Sequence, residues 1–329
     1  MDASVTVSII VPVRNEEDNV VALHSEVAHA LRGMDRRYEL IVVDDGSTDA
    51  TFNRLTELAT RDSRVKIIRL RRNYGQTTAL QAGIDAAAGE VIVTMDGDRQ
   101  NDPADIPRLL HRLSEGFDAV LGVRRHRQDG LLLRRLPSLC GNLLIRTVSG
   151  VTVADLGCAL KAVRADILRE LDLYGEMHRY LAILLHVAGA QWVELDTHHR
   201  PRTAGKTKYG LDRTVRVLLD LITVSYLIHW STSPMRLFGR FGVAAGAIAL
   251  ISGAATLLMK LRGTDMTGNP LLLLTVLSVF AMLQLLTLGI LGEVCSRIHQ
   301  FSRRRPAYAV RETRNLATLP GVLRLDEAA

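Results

Sequence analysis

The sequence predicts an open α/β sheet followed by a pair of membrane-spanning helices. Three observations carry that expectation. Apolar strand-like runs alternate with helical stretches over the first hundred residues, acidic residues stand directly after two of the strands, and two long C-terminal runs hold no charged residue. The length of 329 residues allows one medium globular domain and something more.

Val5–Val13, VTVSIIVPV, reads as a first strand, apolar as a parallel strand covered on both faces would be. Residues 14–18, RNEED, open a helix to about Arg32, with acids where the helix dipole favours them. A second strand spans Tyr38–Val43 and ends at Asp44-Asp45-Gly46, with Ser47 or Thr48 placed to cap the next helix. Val65–Leu70 is a third strand, Gly75–Ala88 a helix and Glu90–Met95 a fourth strand. Asp44, Asp45, Asp96 and Asp98 then all lie at carboxyl ends of strands, the edge where open α/β sheets bind ligands.

Asp96-Gly97-Asp98 brings two carboxylates to one small volume. They repel each other unless a cation lies between, and a hard divalent ion carrying substrate phosphates suits them. Neither GxGxxG nor a Walker loop is present. Cations for a diphosphate are available instead in GVRRHRQDG, at Arg124, and in HHRPRTAGKTKYG, at Arg200, Arg202, Lys206 and Lys208. Gly205 and Gly210 give the latter the look of a movable segment.

Phe241–Met259 and Leu271–Gly292 are each long enough to cross ~30 Å of hydrocarbon, joined by a link with Gly263, Gly268 and Pro270. Arg236, Arg240, Arg297 and Arg303–Arg305 flank the pair, so the positive-inside rule puts both flanks and the N-terminal domain in the cytoplasm. No signal peptide is expected, because Glu16, Glu17, Asp18 and Glu26 occupy the first thirty residues. Cys140, Cys158 and Cys295 show no paired spacing and fit a reducing compartment. The net charge of +6 suits an anionic leaflet, and no aromatic-basic module for nucleic acid is visible. Leu136–Val148 and Leu211–Trp230 read as interfacial amphipathic helices.

The ordered motifs SIIVPVRNEEDN, ELIVVDDGSTDAT, RNYGQTTALQAG, VIVTMDGDRQNDP and ADLGCALKAVR resemble the family 2 glycosyltransferases of the GT-A fold, in particular the polyprenyl-phosphate glycosyltransferases. The resemblance runs over nearly the whole chain, including two spans and the tail RRRPAYAV. It implies inverting transfer of a sugar from a UDP- or GDP-sugar to a polyprenyl phosphate, at the cytoplasmic face of the inner membrane, with Mg²⁺ or Mn²⁺. It assigns Pro12, Arg14, Glu16, Asp44 and Asp45 to the nucleotide, Asp96 and Asp98 to the metal, and Gly97 and Gln100 to the donor. Arg124, Arg202 and Lys208 match phosphate-gripping cations, and His178 and Arg179 the acceptor side. Asp155 matches a proposed catalytic base. An acceptor phosphate with a second pKa of ~6 is already anionic near neutrality, so Asp155 either abstracts a proton or orients substrate. Arg99 departs from the family's usual leucine and adds a cation beside the metal pair.

The implied organisation is a catalytic domain over 1–210, a juxtamembrane helix over 211–235, two spans within 236–296 (about 237–260 and 271–295) and a basic tail over 297–329. The strand-like AYAV after Pro306 predicts, by the resemblance, a homo-oligomer, a tetramer, held partly by residues 307–315. A processive polysaccharide synthase would need more spans and a QxxRW-type segment, which are lacking. A non-catalytic lipid-carrier partner would not need Asp96, Asp98 and Asp155.

Overall fold

The computed structural model describes residues 6–34, 37–125, 153–171, 173, 175–200, 226, 230, 233–301 and 307–316. Arg202, Lys206, Lys208, Cys140, the segment 136–148 and nearly all of 211–230 lie outside the described residues. The chain divides into two compact units, 1–221 with 305–329, and 222–304.

The first unit is built on a sheet that, among the described residues, has eight strands. These are β1 (Val7–Val13), β2 (Tyr38–Asp44), β3 (Val65–Leu70), β4 (Val91–Thr94), β5 (Ala119–Val123), β6 (Lys161–Arg164), β7 (Trp192–Asp196) and β8 (Val310–Arg314). Their order is β7-β5-β6-β4-β1-β2-β3-β8. β4-β1-β2-β3 run parallel, β6 runs antiparallel between β4 and β5, and β8 runs antiparallel on β3. Helices α1 (Val20–Ala30), α2 (Thr51–Arg61), α3 (Gln76–Ala86) and α4 (Ile106–Leu113) connect the strands. After β6 come α5 (Ala165–Glu170), a 3-10 turn at Met177–Tyr180 and α6 (Leu181–Val187). Ile9, Ile10, Val11, Ile41, Val43, Ile67 and Ile92 are almost fully buried, as apolar parallel strands with two covered faces require.

Two local expectations are corrected. The first helix begins at Val20 rather than near Arg14, because Asn15 takes a left-handed φ of 55° and residues 15–17 bond across to the β2–α2 loop. There the Asn15 amide donates to Ser47 Oγ at 3.0 Å, the Glu16 amide to Thr51 Oγ1 at 2.9 Å, and the Ala50 amide to Glu17 Oε2 at 3.0 Å. Ser47 and Thr48 therefore do not cap α2, which starts at Thr51 with the Asp49 carboxylate accepting the Thr51 amide at 3.0 Å.

In the tail the strand starts at the end of AYAV rather than coinciding with it. The strand begins at Val310 and pairs with β3 of the same chain. Buried Tyr308 donates its hydroxyl to Asp85 Oδ2 of α3 at 2.7 Å.

The second unit holds α7 (Pro234–Leu261) and α8 (Pro270–Phe301), both long and apolar enough to cross a membrane. They pack as a hairpin, with Gly242 against Leu286, Gly246 against Met282 and Gly289 against Met235. Thr275 Oγ1 donates to Ser252 Oγ at 2.9 Å between them. Small residues and hydroxyls at the seam are the packing that lipid-embedded helices use.

Candidate active site

β1, β2 and β4 present their carboxyl ends side by side, which gathers most of the acids singled out by sequence. Asp44 is fully buried; its Oδ1 accepts the Ser47 amide at 2.9 Å and its Oδ2 lies 3.6 Å from Arg69 Nε. Asp45 accepts the Tyr74 and Gly75 amides at 2.7 and 2.9 Å, fixing the loop into α3. Burial raises the Asp45 pKa above the usual carboxylate value, against those amides and the Arg14 charge. Glu16 accepts Asn19 Nδ2 at 2.6 Å and so shapes the entry to α1, while Arg14 is exposed.

Asp96 and Asp98 follow β4 on a tight loop. Gly97 between them lies against β1, where an added Cβ would sit 2.6 Å from Val13 Cγ1. Asp98 Oδ1 accepts the Gln100 amide at 3.2 Å, and Gln76 Nε2 donates to Asp96 Oδ1 at 2.8 Å from the start of α3. Burial and then the Asp98 charge push the Asp96 pKa up to about 6, although Lys161, Arg124 and Gln76 pull the other way.

Arg99 adopts a left-handed φ of 60°, and its side chain turns to α1, where Nη2 donates to Glu26 Oε1 at 2.5 Å. Arg200 bridges the other Glu26 oxygen at 2.9 Å to Asp102 at 2.7 Å, and its amide donates to the Gln100 carbonyl at 2.9 Å. The extra cation of this loop is thus part of a clamp behind the Asp96–Asp98 loop.

On the far side, Arg124 at the end of β5 grips Asp155. Nε donates to Oδ2 at 2.6 Å and Nη2 to Oδ1 at 2.9 Å, with both side chains largely buried. Gly157 permits this, since a Cβ there would lie 2.8 Å from Arg124 Nη2. Among the described residues two of the five guanidinium donors are engaged, both by Asp155.

His178 shares a 2.6 Å hydrogen bond between Nδ1 and Thr77 Oγ1, and burial, with Arg179 and Lys161 nearby, lowers its pKa to about 3. Arg179, next to it on the same 3-10 turn, is exposed and pairs with Glu176 at 2.9 Å.

Sequence reasoning missed Lys161. It is 3 % exposed on β6, and its ammonium donates to the Cys158 carbonyl. A lysine inside the apolar run CALKAV was the available signal. Gln76, Thr77 and Glu26 were likewise without an assigned role.

Among the described residues, no cluster of three or more metal-ligating side chains occurs. A cation at Asp96 and Asp98 would complete its shell with water and substrate phosphate, which is how Mg²⁺ binds in phosphate chemistry. The mutual repulsion of the two acids fits such an ion.

Against protein-family models, residues 8–172 match "Glycosyl transferase family 2". A dodecaprenyl-phosphate galacturonate synthase of Rhizobium johnstonii is 40% identical over 314 residues, 94% of this chain and 93% of that protein. An undecaprenyl-phosphate 4-deoxy-4-formamido-L-arabinose transferase of Shewanella sediminis is 36% identical, over 93% of this chain and 92% of that protein. Among solved structures, mannosyl-3-phosphoglycerate synthase from Rubrobacter xylanophilus superposes with a TM-score of 0.53 at 16% identity, covering 68% of this chain and 74% of that one. Glucosyl-3-phosphoglycerate synthase from Mycobacterium tuberculosis, solved with Mn²⁺ and UDP-glucose, gives 0.51 at 19% identity, covering 68% and 78%. These two share the GT-A-like fold of the first unit.

Proposed function

The chain belongs to glycosyl transferase family 2 and is a glycosyltransferase, and from that premise we propose that it moves one sugar from a nucleotide diphosphate to a polyprenyl phosphate. The observation that carries this reading is the facing pair of charge groups, Asp96 and Asp98 after β4 and the Arg124–Asp155 fork after β5. The two relatives act on prenyl phosphates of similar kind but on different sugars, so kinship alone leaves the sugar open.

The donor diphosphate would lie over the ends of β1 and β4, with the nucleoside beside the β1–α1 and β2–α2 loops. A divalent cation held by Asp96 and Asp98, as Mn²⁺ accompanies UDP in the structural neighbour, would neutralise charge building on the leaving diphosphate. Gln76 orients Asp96, and the Asp98–Gln100 turn keeps the second acid in place. Arg124, steered by Asp155, turns its remaining N–H groups to a phosphate. Arg202 and Lys208 are proposed as further phosphate cations.

The acceptor phosphate oxygen attacks the anomeric carbon opposite the departing nucleotide and inverts it. That oxygen is an anion near pH 7, so Asp155 serves by holding Arg124 rather than by removing a proton. Bringing two anions together is the main electrostatic task, and the cationic set answers it.

The apolar helices α7 and α8 would anchor the enzyme in the membrane that carries the lipid, with both flanks cytoplasmic by their arginines. A homotetramer through tail exchange is part of this reading, since the β3 edge that takes β8 within one chain can take the same strand from a copy. The test is a panel of radiolabelled UDP- and GDP-sugars with undecaprenyl phosphate in vesicles. Label extracted as a prenyl-phosphate sugar is expected; label confined to polymer or to water-soluble product overturns the assignment.

A further inference from the structure

Lys161 has no structural need to be charged. It occupies the centre of the sheet opposite Thr94, with β6 between β4 and β5, at a position where an apolar side chain would be cheaper to bury. Of its three N–H donors one reaches the Cys158 carbonyl, and among the described residues the other two have no acceptor within bonding distance. The ammonium lies on the wall of a small cavity shared with Gln76, Thr94, Asp96, His178 and Leu181.

The carboxylates that could balance Lys161 have other commitments. Asp155 is forked by Arg124 at 2.6 and 2.9 Å. Asp96 is a metal ligand in the reading above, on which this inference rests. His178 is tied to Thr77 and offers no negative charge. In the loaded enzyme, then, a buried cation with two free N–H groups borders the cavity next to the reacting end of the donor. Asp96 and Asp155 act on that charge from nearby without bonding its remaining N–H groups; a sugar hydroxyl would add only an acceptor, whereas a carboxylate supplies both a charge and two acceptor oxygens.

We propose that Lys161 selects the sugar by charge, and that the donor is a nucleotide-linked hexuronate whose carboxylate enters this cavity. UDP-galacturonate and UDP-galactose differ only in that group and make the matched test.

Binding of both to the full-length protein in detergent is measured by calorimetry without lipid acceptor, in Mn²⁺ and in EDTA, followed by transfer to undecaprenyl phosphate. The wild type is expected to favour galacturonate by about tenfold or more in binding. Lys161→Met should bring the ratio to about one, and Lys161→Arg, which keeps the charge, should retain a preference. UDP affinity reports whether each variant is folded; should the methionine variant fail to fold, the wild-type and arginine ratios decide. A wild type that binds both sugars equally, or a methionine variant that loses both in proportion, overturns the inference. Transfer of neutral sugars alone overturns it while leaving the transferase reading intact, and no transfer from any nucleotide sugar overturns that reading itself.

Discussion

Arg124 and Asp155, 31 residues apart in sequence, meet as a two-pronged ion pair, Nε to Oδ2 at 2.6 Å and Nη2 to Oδ1 at 2.9 Å. A carboxylate so engaged is a poor proton acceptor and a good positioning group. Asp155→Asn should therefore lower kcat/KM by about 10- to 100-fold, in proportion to a partly buried pair worth a few kcal/mol. The loss should stay constant from pH 6 to 9. A loss that grows or shrinks tenfold per pH unit would restore the general-base role.

Metal affinity should depend on pH through Asp96. Its pKa of about 6 lies above the ordinary carboxylate value of 3.8. In the metal-free protein the folded state therefore holds a proton that the unfolded chain has released, and stability falls as pH rises from about 4 to about 6. An added cation needs the ionised form, so Mn²⁺ binding should strengthen as pH climbs to about 6 and level off above it. Calorimetry between pH 5 and 8 reads this directly; an affinity independent of pH over that range would remove Asp96 from the ligand set.

Arg99 combines a left-handed backbone with a paired side chain. Arg99→Gly loses the ion pair with Glu26 but keeps an unstrained backbone, whereas Arg99→Ala loses the pair and keeps the strain. The alanine variant should be less stable by about 1 kcal/mol. Thermal melts in detergent that place alanine at or above glycine would show that the loop does not hold its conformation in solution.

The tail is expected to stabilise the catalytic unit through β8 on β3 and through Tyr308 on Asp85. Tyr308→Phe should cost about 1 kcal/mol for the lost hydrogen bond. Truncation at Pro306 strips the β3 edge, and the same truncation should reduce the mass seen by light scattering if copies exchange tails. An unchanged mass would sink the exchange.

Much of the fold was legible because its signals are local. Four parallel strands announced themselves as apolar runs, the acids after β2 and β4 fell at strand ends, and the spans carry no charge for about twenty residues. What escaped depends on distant partners. Nothing near Arg99 in sequence reveals Glu26, and nothing near Asp155 reveals Arg124. The delayed start of α1 needed Asn15 and Ser47 to meet across two loops. β6 runs antiparallel between β4 and β5, so Lys161 could be read as a strand residue but not as a cavity wall.

The central claim is that Asp98 helps bring a metal to the diphosphate of a sugar donor whose sugar passes to a lipid phosphate. Transfer of radiolabel into organic-extractable prenyl-phosphate sugar, wild type beside Asp98→Ala at saturating Mn²⁺ and equal UDP-binding competence in EDTA, tests it most directly. The account predicts labelled lipid from the wild type and a loss of at least about 10²-fold in the variant, the scale of removing an electrostatic anchor of the leaving group. Near-normal lipid labelling by Asp98→Ala would contradict it.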